Sequence, residues 1–132
     1  YTNEFSTYAN PSLLGRLMHA LKSVGKEVPY DNCNVNVARI DDHYIAMTES
    51  NHILEFKQED LSTLGAFQFD DGLKGQLNLA HPHRDPTTGD MINVTIEIDK
   101  TNLYHIYRML PNSTKRELIF SYQSDALFYM HS

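Results

Sequence analysis

The sequence predicts an all-β protein with one amphipathic helix near its N-terminus. From Asn34 onward, apolar residues come in short runs that alternate with polar residues, and no helical pattern lies between them. Dense clusters of turn-forming residues, 85–90 and 111–114, separate the later runs. Short strands joined by turns, without intervening helices, are typical of antiparallel β meanders.

Residues 12–26 are the exception to the β pattern. Their apolar side chains fall on one side of a helical wheel, and polar residues fill most of the other side. Pro11 and Ser12 are suited to the start of a helix, and Gly25 to its end. Two interpretations of the stripe stay open, packing on the rest of the chain or contact with a membrane surface. The stripe consists of Leu13, Leu14, Leu17, Met18, Leu21 and Val24.

The strands are predicted from their apolar and β-branched content and from the turns between them. Asp41 and Asp42 form the first turn, and residues 72–75 form a glycine-bounded turn. The predicted strands are Asn34–Ile40, His43–Thr48, Ile53–Phe56, Ala66–Phe69, Met91–Ile98, Leu103–Leu110 and Glu117–Tyr122.

Composition excludes several classes of protein. With 132 residues, 41% of them hydrophobic and 21% charged, the chain is not of a disordered type. The formal net charge of −6 provides no basic surface for nucleic acid. Cys33 is the only cysteine, so no internal disulfide forms. It has no evident activating base beside it, so we expect its thiol to be unreactive. No apolar run reaches the ~18 residues of a membrane span. Because the chain begins with Tyr1 rather than Met, we expect it to be either a fragment or a processed product.

A few residues could carry chemistry. His81 and His83 form an H-x-H pair, which is either a weak metal signal or a polar strand end leading into a turn. His131 follows an apolar run, where a histidine is either a hydrogen-bonded core residue or a ligand. Glu49 is either a turn cap or the partner of a buried group. The remaining histidines, His19, His43, His52 and His105, occupy surface-like positions and receive no role.

Five segments, read in order, resemble the motifs of the carotenoid cleavage oxygenases, and together they extend over most of the chain. The resemblance is closest to the animal branch, which holds the β-carotene oxygenases and the retinoid isomerohydrolase, and to its bacterial relatives. The segments are Asp31–Val37, Tyr44–Asn51 (YIAMTESN), Glu59–Gly65, Ala80–Asp90 (AHPHRDPTTGD) and Tyr129–Ser132 (YMHS).

The resemblance implies part of a seven-bladed β-propeller with Fe(II) on its axis, held by four histidines. His81 matches the first ligand and His131 the second, whereas His83 does not match a ligand. Glu49 matches a glutamate that hydrogen-bonds the imidazole of a ligand. The other two ligands would lie beyond Ser132. Residues 1–132 would then be a partial propeller, in which 34–132 supply roughly two blades after the helix at 12–26.

The implied function is oxidative cleavage of a carbon–carbon double bond of a carotenoid or apocarotenoid by O₂. Stilbene-cleaving relatives carry a lysine, which holds a phenol oxygen, where this chain has Thr48. Thr48 would line the substrate tunnel and favour an apolar polyene. Stilbenoid cleavage and retinyl-ester isomerohydrolysis on the same iron site remain alternatives, as does a non-catalytic propeller fragment. We expect a cytoplasmic protein and an inactive isolated chain. Peripheral contact with a membrane through Leu13, Leu14, Leu17, Met18 and Leu21 stays as open as packing of this stripe on the propeller.

Overall fold

The computed structural model of the chain describes residues 33–128, which form two antiparallel sheets and no helix. The first sheet has the strand order β1-β2-β3-β4, and the second has the order β5-β7-β8-β9, with β6 also paired to β7. The strands are β1 (Asn36–Ile40), β2 (His43–Met47), β3 (Leu54–Phe56), β4 (Thr63–Ala66), β5 (Leu77–Asn78), β6 (His83–Arg84), β7 (Met91–Glu97), β8 (Asn102–Met109) and β9 (Glu117–Ser124).

The first sheet is a meander whose turns suit the residues that form them. Asp41, in the turn between β1 and β2, has a φ of 51°, a conformation that aspartate tolerates better than most residues. The tight turn fixes the register, in which Ile40 pairs with His43 and Asn36 pairs with Met47. Asn36 and the end of β2 therefore lie at the same end of the first sheet.

The second sheet is built around the long pair β7 and β8, in which residues 91–97 pair with residues 103–109. The chain enters β7 through the turn at 85–90. There the carboxylate of Asp85 accepts the backbone N–H groups of Thr87 and Thr88, and Gly89 adopts a φ of 79°. Strands β5 and β6 both pair with the free side of β7, so they act as one interrupted edge strand.

The main core lies between the two sheets. Ile45 and Met47 of β2 and Tyr107 and Met109 of β8 belong to one buried cluster, and each is at most 2% exposed. Because side chains alternate along a strand, the other face of the second sheet carries a separate cluster. That cluster contains Leu79, Val94, Ile96 and Tyr104.

Strand β9 is the outer edge of the second sheet and is exposed on both faces. Four of its apolar or aromatic side chains are 51–55% exposed, namely Leu118, Ile119, Phe120 and Tyr122. Apolar residues on an unpaired edge promote pairing with another strand.

Six of the seven predicted strands are found close to their expected bounds. The prediction of Ala66–Phe69 is wrong, because the strand there is Thr63–Ala66. The apolar pattern at Phe67 and Phe69 reflects packing rather than strand pairing, because Phe67 belongs to the core cluster and Phe69 packs against it. Strands β5 and β6 have two residues each and give no periodic signal. The helix expected at 12–26 lies outside the described residues, and among those described no helix is long and apolar enough to span a membrane.

Candidate metal centre

The interruption between β5 and β6 is a bulge with two extra residues, and it contains His81. Asn78 pairs with Thr95 and His83 pairs with Ile92, so the four residues 79–82 lie opposite only Asn93 and Val94. Pro82 has no N–H to give to the ladder, which suits it to this position. Bulges of this kind turn side chains away from the regular pleat and are common beside active sites. His81 is half-buried at this point.

Two side chains hold Ala80, the residue before His81: Asn36 of β1 and Glu49, which lies two residues after the end of β2. The Asn36 amide nitrogen Nδ2 donates to the carbonyl oxygen of Ala80 at 2.8 Å. The Ala80 N–H donates to Oε2 of Glu49 at 3.3 Å. Ala80 is fully buried, so both of its polar backbone groups need these partners. Asn36 and Glu49 thus fix the peptide units on both sides of Ala80.

The second sheet holds the preceding carbonyl, that of Leu79. Nδ2 of Asn93 donates to it at 2.8 Å and Nδ2 of Asn78 at 3.2 Å. The Tyr107 hydroxyl donates in turn to Oδ1 of Asn78 at 2.7 Å. Burial raises the pKa of Tyr107 to about 12, although the Arg116 charge and the asparagine hydrogen bonds act to lower it. The phenol therefore stays protonated and acts as a donor at neutral pH.

The second carboxylate oxygen of Glu49 is the unusual atom of the site. Among the residues that the structure describes, Oε1 of Glu49 is the one buried side-chain oxygen or nitrogen without a hydrogen-bond partner. A buried carboxylate oxygen is costly to leave unpaired. A donor from outside residues 33–128 would satisfy it, and the N–H of a metal-bound imidazole is such a donor. The surroundings of Glu49 therefore fit a histidine-ligated metal.

The structure brings together some of the predicted site residues and leaves others outside. Glu49 and the bulge of His81 meet at Ala80, and Thr48 is half-buried immediately before Glu49. His83 is exposed on β6. His131 lies outside the described residues. Within 33–128 no group of three or more histidine, cysteine, aspartate or glutamate side chains could hold a metal ion, so a metal at His81 needs further ligands from the rest of the protein.

One histidine was assigned wrongly, and several asparagines were missed. His105 was expected at the surface, but it is buried. Its Nδ1 lies 2.8 Å from Oγ of Ser121, and its Nε2 lies 3.6 Å from Glu97. The alternation of β8 could have predicted this, because His105 shares a face with Tyr107. The roles of Asn36, Asn78 and Asn93 left no sequence signal, since each depends on contacts made only in the folded chain.

Comparison with known proteins identifies the family. A family model described as retinal pigment epithelial membrane protein matches residues 3–132. The chain belongs to this carotenoid oxygenase family. The β,β-carotene 15,15′-dioxygenase of Gallus gallus is 28% identical over 115 residues, which are 84% of this chain and 22% of that protein. The enzyme of the same name from Mus musculus is 27% identical over 122 residues, covering 86% of this chain and 21% of its own length.

Solved structures of the family share the fold. A crystal structure of an ACO/RPE65 chimera superposes with a TM-score of 0.65 at 18% identity, over 80% of this chain and 23% of that one. A variant of Synechocystis apocarotenoid oxygenase gives a TM-score of 0.56 at 18% identity, over 70% and 20% of the two chains. The family and the all-β propeller fold expected from the motifs are confirmed. The chain spans about a fifth of the length of the curated relatives it matches.

Proposed function

We propose that the full-length protein carrying this chain is a non-haem Fe(II) dioxygenase that cleaves a carbon–carbon double bond of a carotenoid or apocarotenoid to two carbonyl products. Membership of the family and the names of the curated relatives support the reaction class. The observation that carries the proposal on this chain is the buried, unpartnered Oε1 of Glu49 beside the bulge of His81.

In this proposal His81 and His131 supply two of the four imidazoles that hold the iron. Imidazole nitrogen is a suitable ligand for iron, and neutral imidazoles leave the charge of the metal uncompensated. When bound, Fe(II) supplies a coordination position for O₂ and the redox chemistry that the protein itself lacks. Glu49 would accept the outer N–H of a ligand imidazole, which fixes its tautomer and makes it a better electron donor.

The chain would also contribute to substrate choice. Thr48 is half-buried directly before Glu49, and its side chain carries no charge. A lysine at this position would offer a cation to a phenol oxygen, whereas threonine is compatible with an apolar polyene. We therefore expect carotenoids or apocarotenoids to be preferred over stilbenoids.

The test uses the full-length protein reconstituted with Fe(II) under anaerobic conditions and then exposed to air. β-Carotene, an apocarotenal, a retinyl ester and resveratrol are supplied separately, and products are identified by mass spectrometry. We expect carbonyl products from β-carotene, from the apocarotenal or from both, and none from the retinyl ester or resveratrol. Isomerised retinol from the ester, cleavage of resveratrol alone, or no product from any substrate would each contradict the proposal.

Glu49→Gln tests the role of the carboxylate, and Glu59→Gln is the matched control because Glu59 is exposed in the turn before β4. Loss of an outer partner of a ligand typically lowers metal affinity or activity by about 10–100-fold. We expect that loss for Glu49→Gln and wild-type behaviour for Glu59→Gln. Equal behaviour of the two variants would reduce Glu49 to a turn cap.

A further inference from the structure

The side chain of Asn93 replaces a backbone hydrogen bond that the His81 bulge breaks. Leu79 lies opposite Val94, next to the paired residues Asn78 and Thr95, and its N–H donates to the Val94 carbonyl at 3.1 Å as in a regular ladder. The reciprocal bond, from Val94 N–H to the Leu79 carbonyl, is absent. Instead, Oδ1 of Asn93 accepts the Val94 N–H at 2.9 Å, and its Nδ2 donates to the Leu79 carbonyl at 2.8 Å.

The inserted amide lies in a dry environment, where its geometry is restricted. Asn93 is 4% exposed, and Asn78, the second donor to the same carbonyl, is 1% exposed. Both of these polar groups would be costly to bury without partners, so the contacts are maintained in the folded protein. The Tyr107 hydroxyl holds Asn78 in turn.

Side chains also hold the backbone polar groups of the next residue, Ala80. The Leu79 carbonyl is held by Asn93 and Asn78, and the next two backbone polar groups, both of Ala80, are held by Glu49 and Asn36. Side chains, rather than the strand ladder, therefore set the backbone direction from which His81 emerges. A metal ligand needs its imidazole held to within a fraction of an ångström, and such support comes from the surrounding hydrogen bonds.

We propose that Asn93 is a positioning residue for His81, with Asn78 and Tyr107 supporting it. This inference rests on the proposed function, because it assigns Asn93 a role through His81 as a metal ligand. Loss of the Asn93 amide leaves the Leu79 carbonyl with the longer contact from Asn78 alone and removes the acceptor of the Val94 N–H, which relaxes the bulge. The imidazole of His81 then has more orientations, and metal binding weakens although the sheets still pack.

The experiment measures metal binding rather than turnover. Full-length apoprotein is titrated with Co²⁺ in the absence of O₂ and substrate, and the visible ligand-field spectrum reports both affinity and coordination geometry. Asn93→Ala removes both contacts of the amide. Asn102→Ala is the matched control, because Asn102 is also buried in the second sheet and also donates to a carbonyl, that of Ser124 at 3.3 Å. We expect about a 10-fold or greater loss of Co²⁺ affinity and altered bands for Asn93→Ala, and wild-type values for Asn102→Ala.

Two further variants separate the possible failures. Asn93→Asp keeps the shape of the side chain and the acceptor for the Val94 N–H, but it loses the donor to the Leu79 carbonyl. It replaces Asn93→Ala in the Co²⁺ titration if Asn93→Ala is insoluble. If His81→Ala abolishes Co²⁺ binding while the Asn93 variants bind with wild-type affinity and spectrum, the positioning role is wrong and the proposed function stands. If His81→Ala itself leaves binding unchanged, the proposed function fails.

Discussion

The ion pair between Asp71 and Arg116 gives a quantitative test of how the segment between the two sheets is held. Nη2 of Arg116 lies 2.7 Å from Oδ1 of Asp71, and the Arg116 backbone N–H donates to Oδ2 at 2.8 Å. The two side chains are only 9% and 6% exposed. The guanidinium also lies 4.2 Å from the centre of the Phe69 ring. The pair therefore ties the approach to β5 to the start of β9.

The substitution Asp71→Ala leaves the Arg116 guanidinium buried without its anion. Removing one partner of a buried pair costs about 3–5 kcal/mol, because the remaining charge is uncompensated. The exposed pair between Arg39 and Asp42 is the matched control, with side chains 58% and 87% exposed. Exposed pairs contribute roughly 0–1 kcal/mol, so Asp42→Ala should have little effect.

Hydrogen exchange followed by mass spectrometry measures the local free energy of opening in the full-length protein. In Asp71→Ala, we expect peptides covering residues 69–76 and 113–118 to exchange roughly 100-fold faster or more, which corresponds to about 3 kcal/mol or more. The double variant Asp71→Leu with Arg116→Met should recover much of the protection, since no charge is left buried. Unchanged exchange in Asp71→Ala, or equal effects of Asp71→Ala and Asp42→Ala, would refute this reasoning.

The same pair gives a pH dependence with a defined sign. Burial acts to raise the pKa of Asp71, but the hydrogen bonds and charge of Arg116, together with the N–H of Leu73, more than offset it and lower that pKa. A carboxyl whose pKa is lowered on folding contributes stability above its unfolded pKa, about 3.9, and loses it as the pH falls through the folded value. Protection of residues 69–76 should therefore fall only below about pH 4. In Asp71→Asn this contribution is absent.

The remaining predictions concern other parts of the chain. Gly75→Ala should lower the melting temperature, because the added Cβ would overlap a threonine side chain of β7, whereas Gly72→Ala has open space and should not; equal melting would contradict this. Thr48→Lys should depress polyene turnover without reducing iron content, and unchanged turnover would remove Thr48 from the substrate wall. Leu17→Asp with Leu21→Asp should reduce liposome binding without unfolding, and loss of a cooperative melt would instead indicate a core stripe. The isolated 132-residue chain should self-associate through the exposed β9 edge, and a monodisperse monomer would contradict this.

The sequence predicted the long strands well and the site only in part. Strands β7 and β8 have long apolar and β-branched runs bounded by strong turns, so their pairing follows from local pattern. Strand β6 has two residues and directly follows Pro82, so it is defined by its pairing with β7 and not by periodicity. His81 and Glu49 were identified through resemblance, since their spacing alone left a turn cap and a strand end as alternatives.

The support of the site could not be predicted from local pattern. The contact of Asn36 with the Ala80 carbonyl joins residues 44 positions apart, and the contact of Glu49 with the Ala80 N–H joins residues 31 apart. An asparagine in a strand is ordinarily a weak strand former, and nothing in its neighbours shows that it replaces a ladder bond. Such roles become visible only when the two sheets are placed side by side.

The most direct test of the account compares the two histidines of the H-x-H pair in the full-length protein. His81 is half-buried in the bulge, whereas His83 is exposed on β6. If only His81 is a ligand, only its replacement lowers the iron content; if the pair binds metal together, either replacement lowers it. Iron is measured by mass spectrometry after anaerobic reconstitution of wild type, His81→Ala and His83→Ala. We expect His81→Ala to lose most of its iron and His83→Ala to keep the wild-type amount. Wild-type iron in His81→Ala, or equal loss in both variants, would contradict this expectation.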